Sequence, residues 1–166
     1  MAIKEQNPKV KVIGVQAANA AAYPNSLKEG RPIALESMNT IADGIAVGKP
    51  GDVPFAIIQD YVDDVITVTE NQLSVAILQT LERGKLLVEP GGAAAAAAFI
   101  ANPKAFEGPV AIVLSGGNMD PLLLERIMQT GLASAGRYLT VRIRIKDKPG
   151  SLAKLLTEIG GIGANI

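Results

Sequence analysis

The feature that most constrains the fold is a change of period that repeats along the chain. Short apolar runs at residues 9–15 (Val10, Val12, Ile13, Val15), 65–68 and 110–114 are interspersed with stretches whose apolar residues recur about every 3.6 positions. One such stretch carries Phe55, Ile58 and Val62 and predicts a helix ending near Asp63-Asp64. A second opens at Thr69, with Glu70 and Gln72 behind it in capping-box style, carries Leu73, Ile77, Leu78 and Leu81, and stops at Gly84. Pro90 and the alanines through Ala98 predict a third. The fourth starts at Asp120-Pro121 and runs to about Gly131 with Leu122, Leu123 and Ile127 on one face. Strands alternating with helices imply parallel strands and right-handed crossovers. Composition agrees: 48% of residues are hydrophobic but only 4% aromatic, with 17 glycines, as in a sheet covered by helices. Residues 16–22 are mostly small, Tyr23-Pro24-Asn25 breaks the pattern, and a loop-rich region runs on to Gly48-Lys49-Pro50-Gly51.

The third apolar run ends on Leu114-Ser115-Gly116-Gly117-Asn118, just before the helix start at Asp120. A strand that stops on a hydroxyl and two glycines presents a polar group at the carboxyl edge of a sheet, where open α/β folds bind ligands. Spacing alone leaves a second reading open, a tight connection that holds nothing.

Other function classes are poorly supplied. Sixteen basic residues balance sixteen acidic ones without a Lys/Arg cluster, which argues against a nucleic-acid partner. The chain has neither cysteine nor histidine, so the usual zinc ligands and a Ser-His-Asp triad are excluded. Residues 44–50, Gly-Ile-Ala-Val-Gly-Lys-Pro, are one residue short of a phosphate-binding Walker loop, with Pro50 where Ser or Thr must bind magnesium. No uninterrupted apolar stretch reaches the ~18 residues of a membrane span, and the first residues lack a signal-peptide core; a cytoplasmic location is the expectation. Asp63-Asp64 reads as a solvated helix end.

Beyond Gly136 the texture changes. Residues 138–145 alternate apolar and polar, which predicts a strand buried on one face. A turn at Asp147-Lys148-Pro149-Gly150-Ser151 leads into a helix with Leu152, Leu155, Leu156 and Ile159. Two units are expected, residues 1–134 and 135–166.

Six motifs occur in order: Lys11-Val12-Ile13-Gly14-Val15-Gln16, Ile41-Ala42-Asp43-Gly44-Ile45-Ala46-Val47, Val62-Asp63-Asp64, Val68-Thr69-Glu70, Val88-Glu89-Pro90 and Leu114-Ser115-Gly116-Gly117-Asn118. Together they resemble the threonine ammonia-lyases (threonine dehydratases), pyridoxal-phosphate enzymes of the second fold type. Residues 135–166 resemble the first strand and helix of an ACT domain, a small ferredoxin-like module that binds amino acids. The resemblance implies deamination of L-threonine, with L-serine as a second substrate, to 2-oxobutanoate and ammonia in the case of threonine. It implies that Ser115 hydrogen-bonds the pyridine nitrogen of the cofactor, with Gly116 beside it. A hydroxyl is far too weak an acid to hold that nitrogen protonated, which suits elimination. Gly44 is implied to let backbone approach the ring, and Glu89 to face the active site at a helix start. Asp147, Pro149, Gly150 and Ser151 are the implied effector-binding loop of a rival reading, in which the working feature is an amino-acid-binding module between paired subunits.

The same resemblance implies pieces that these residues do not supply. The Ser-Phe-Lys-x-Arg-Gly motif with the Schiff-base lysine is absent, so no catalytic residue is assigned; Ser26-Leu27-Lys28-Glu29-Gly30-Arg31 is only superficially similar. The glycine loop around the phosphate is expected just before Met1. Related enzymes hold a divalent cation with acids where Gln16 and Ala22 stand here, so no metal site is expected. The expectation is a C-terminal portion of a homo-oligomeric lyase, inactive alone, with amino acids as its small-molecule partners.

Overall fold

A computed structural model describes residues 2–164. Helix α1 (Ala2–Gln6) leads to strand β1 (Ile13–Ala17), helix α2 (Tyr23–Glu29), a long loop, helix α3 (Asp52–Tyr61) and strand β2 (Asp64–Val68). Helices α4 (Glu70–Gln79), α5 (Ala94–Ala101), α6 (Pro121–Ser134) and α7 (Ser151–Gly161) follow. The two strands pair in parallel, Gly14 beside Val65 and Ala17 beside Val68, the arrangement the alternation predicts.

The core forms where small residues let elements approach. Leu73 and Ile77 of α4 are fully enclosed, packed with Val68 and Ala17 from the sheet, Ile127 of α6 and the alanines of α5. Burying a leucine or isoleucine of this kind contributes about 1.5–3 kcal/mol. The alanine run leaves α5 narrow enough to touch both strands.

Local signals fix the helix ends. The Thr69 hydroxyl accepts from the Gln72 N–H (3.3 Å) while the Gln72 side chain accepts from the Thr69 N–H (2.8 Å), the reciprocal box expected of that spacing. Asp120 caps α6 by accepting from the Leu123 N–H at 2.9 Å, ahead of Pro121. At the far end of α4 the chain departs from expectation: a π-helical turn, Thr80–Gly84, carries the helix past Gly84, and Lys85 takes the left-handed cap. Tyr23-Pro24-Asn25 starts a helix instead of breaking one, because proline fits the first turn, where its missing N–H has no partner to lose. The third helix begins at Ala94; Pro90 to Ala93 form turns that carry Gly91 and Gly92.

Two predicted strands are corrected. Among the described residues, 110–114 and 138–145 enter no ladder. Most of their apolar side chains face outward, with Val113 76% and Leu139 82% exposed, while Ile112 packs on the core. Alternation or apolarity marks a segment able to pair but does not supply the neighbouring strand whose N–H and C=O groups would complete it. The strand expected of the ACT-like segment is therefore unpaired here, whereas its helix is formed as α7, with no residue buried.

Candidate cofactor site

The site is assembled from three loops. After the π-helical turn, Val88 and Pro90 are buried and hold Glu89 between them, half-buried. The Glu89 N–H donates to the Gly116 carbonyl at 3.0 Å, tying this loop to the segment that follows residues 110–114. Gly116 has φ +72°, a left-handed conformation, and a β-carbon there would overlap the Glu89 side chain. Gly92 is buried directly against the Ser115 carbonyl, where a β-carbon would also overlap. The third loop contributes Gly44: a β-carbon on it would lie 3.6 Å from Glu89 Oε1.

Four residues singled out from the sequence, Ser115, Gly116, Glu89 and Gly44, therefore meet at one edge. Ser115 is exposed, and among the described residues its hydroxyl has no protein hydrogen-bond partner. It is not enclosed by aliphatic groups. A half-buried carboxylate, an available hydroxyl and backbone that only glycine permits can receive a flat, polar, aromatic ligand, with the hydroxyl serving as donor or acceptor. Gly92 escaped the sequence reading because it stands next to an alanine run, where glycine looks like one more small residue.

Residues 147–151 lie apart from this cluster in the chain, and Asp147, Pro149 and Gly150 are exposed with Ser151 half-buried. They form a turn in which the Ser151 N–H donates to the Lys148 carbonyl at 3.1 Å and Gly150 adopts φ +82°. The region that superficially resembles a lysine motif is helix and cap: the Ser26 hydroxyl, fully buried, donates to the Ala22 carbonyl (2.7 Å) and accepts from the Ile33 N–H (2.9 Å), while Lys28 is exposed. The Gln16 side-chain oxygen accepts from the Tyr23 N–H at 3.0 Å, which fixes the start of α2. Asp63 binds Lys4 through Oδ1 (2.7 Å) and accepts the Val12 N–H through Oδ2 (2.6 Å). The Lys4 ammonium and then the Val12 N–H hold its carboxyl below the ordinary range, so this is a structural clamp between α1 and the sheet.

A cavity of about 450 Å³ lies next to the site, lined by Asn39, Ile41, Asp43, Glu70, Arg126 and Ile127 among others. Ser115 does not line it.

Residues 1–116 match the family of pyridoxal-phosphate dependent enzymes. The chain belongs to that family. It is 42% identical over 166 residues to an L-threonine ammonia-lyase of Thermotoga maritima, covering 100% of this chain and 41% of the relative. A second L-threonine ammonia-lyase, from Geobacter sulfurreducens, is 44% identical over 167 residues, covering 99% and 41%. Among solved structures, a threonine deaminase isoform from Solanum lycopersicum superposes with a TM-score of 0.71 at 33% identity, over 77% of this chain and 38% of that one. The chain thus spans about two fifths of the length of the curated relatives it matches. The two-stranded parallel sheet with its helices is part of the fold of these pyridoxal-phosphate enzymes. No helix among the described residues is long and apolar enough to cross a membrane.

Proposed function

We propose that the protein containing this chain deaminates L-threonine, and L-serine as a second substrate, with Ser115, Gly116, Glu89 and Gly44 forming one wall of the cofactor site. The observation that carries this reading is the meeting of those four residues at one edge, around a hydroxyl that no protein group claims among the described residues. The relatives named L-threonine ammonia-lyase support the substrate class.

When bound, pyridoxal phosphate supplies an electron-withdrawing ring that makes the substrate α-proton removable. Ser115 would hold the ring nitrogen by a hydrogen bond from its hydroxyl and would leave that nitrogen unprotonated, because an alcohol does not surrender its proton near neutral pH. Gly116 and Gly44 carry no β-carbon on the side where the Glu89 side chain lies, so that carboxylate packs directly against both turns of the wall. Glu89, anchored through its own N–H to Gly116, sets negative charge at the rim. Residues 135–166 form a separate unit in this reading, beginning just after α6 ends at Ser134.

The test supplies the lysine-bearing N-terminal portion of a threonine ammonia-lyase in trans, adds pyridoxal phosphate and reads 2-oxobutanoate formed from L-threonine. Product formation that survives with the chain as it is and falls steeply in Ser115→Asp, which would hold the ring nitrogen protonated, supports the reading. Equal turnover by the original chain, Ser115→Ala and Ser115→Asp would refute the role of Ser115.

A further inference from the structure

Glu70 is the first residue of α4, and its two carboxylate oxygens are used unequally. Oε2 accepts the Ile41 N–H at 2.8 Å, across 29 positions of sequence, while Oε1 is buried without a hydrogen-bond partner among the described residues. The residue itself is held firmly. Thr69 and Gln72 close the capping box around it, and the Ser74 hydroxyl donates to its carbonyl at 2.9 Å. A carboxylate at the first turn of a helix is also favoured by the helix dipole, and a charged acceptor makes a stronger hydrogen bond than a neutral one.

Ile41 leads straight into the Gly44 turn. Ala42 is fully buried, its N–H donates to the Thr40 hydroxyl at 3.1 Å, and its carbonyl accepts from the Ile45 N–H at 3.1 Å. The Ala46 N–H closes on the Asp43 carbonyl at 3.0 Å, and Ile45 packs where a β-carbon of Gly91 would stand, 3.1 Å from its Cγ2. A continuous set of contacts thus runs from the capped start of α4, through Ile41, to the turn that sets Gly44 beside Glu89. The segment it steadies lies in a long stretch between α2 and α3 that has no strand of its own and only one short 3-10 turn.

We propose that Glu70 is a positioning residue: by holding the Ile41 N–H it fixes the Gly44 turn against Glu89 and so sets the wall of the site. Its consequence for catalysis rests on the cofactor reading above, whereas the tether itself does not.

The experiment is amide exchange by NMR on the full chain, without cofactor. The Ile41 amide should be protected in the original chain, exchange about 10-fold or more faster in Glu70→Ala with a shifted Gly44 amide, and recover in Glu70→Gln, which keeps a carbonyl acceptor. An unprotected Ile41 amide in the original chain overturns the proposal even if Glu70→Ala fails to fold. So does a folded Glu70→Ala with unchanged Ile41 exchange. The two readings are separated by titrating pyridoxal phosphate into the original chain and Ser115→Ala, each complemented by the lysine-bearing N-terminal portion, while following the Gly44 amide. A protected Ile41 with a Gly44 amide that ignores the cofactor supports the tether and removes only the cofactor reading.

Discussion

Replacing Gly131 by alanine opposes two effects whose sizes can be compared. Gly131 is buried in the interior of α6, where an alanine would ordinarily stabilise the helix by about 1 kcal/mol. Here, however, a β-carbon would stand 2.8 Å from the Ser74 carbonyl oxygen and 3.2 Å from Leu78 Cβ, both on α4. Neither is the loose end of a flexible side chain, so the helices must part at the face that encloses Ile127 and Leu78, and overpacking of this kind costs about 1–3 kcal/mol. The expected balance is a net loss of about 1 kcal/mol, read as a lower urea midpoint and a Tm about 2–4 °C lower. Gly160→Ala is the control, since nothing lies within 4 Å of a β-carbon at that position in α7. There the propensity gain should act alone, and because α7 buries no residue it is best read as slower amide exchange within that helix. A Gly131→Ala chain at least as stable as the original would refute the argument that the close approach of α4 and α6 depends on the missing side chain.

Thr69→Ala removes the acceptor for the Gln72 N–H and half of the capping box, and should cost about 1 kcal/mol in urea denaturation. Asp63 makes a prediction about acid: its folded-state pKa lies below the ordinary 3.8, so its stabilising contribution is complete above that value and is lost as pH falls through the lower folded one. Asp63→Asn should therefore flatten the decline of Tm on acidification from about pH 5 to about pH 2, the window in which a salt-bridged aspartate titrates.

How far the fold could be read from the sequence depended on whether a signal was local. The Thr69 box and the Asp120-Pro121 start specify their partners within one turn, and both are formed as read. The end of α4 was less legible: Gly84 is the conventional stop, yet the choice between α and π hydrogen bonding in the last turn passed the left-handed position to Lys85. Residues 110–114 and 138–145 show the limit from the other side. Their apolar patterns are unambiguous, but a strand is a relation between two segments, and only one segment of each pair is written in the pattern.

The site shows the same division. Ser115 and Gly116 announced themselves through an abrupt change from apolar run to hydroxyl and glycine, whereas Glu89 was legible only through the resemblance of Val88-Glu89-Pro90 to a family motif. Gly92 did not, and Glu70 stood out only as part of the helix start at Thr69, because what each does is done to a distant backbone: Gly92 lies against the Ser115 carbonyl, and Glu70 accepts the Ile41 N–H. Such contacts place no demand on the residues next to them in sequence, so no local pattern betrays them. They do, however, place a strict demand on geometry. A β-carbon at 92 would displace the Ser115 backbone, and loss of the carboxylate at 70 would free the turn that carries Gly44. The hydroxyl and carboxylate visible in the sequence are thus set by contacts that are not, and changes at Gly92 or Glu70 should move the wall of the site without touching any group that faces the ligand.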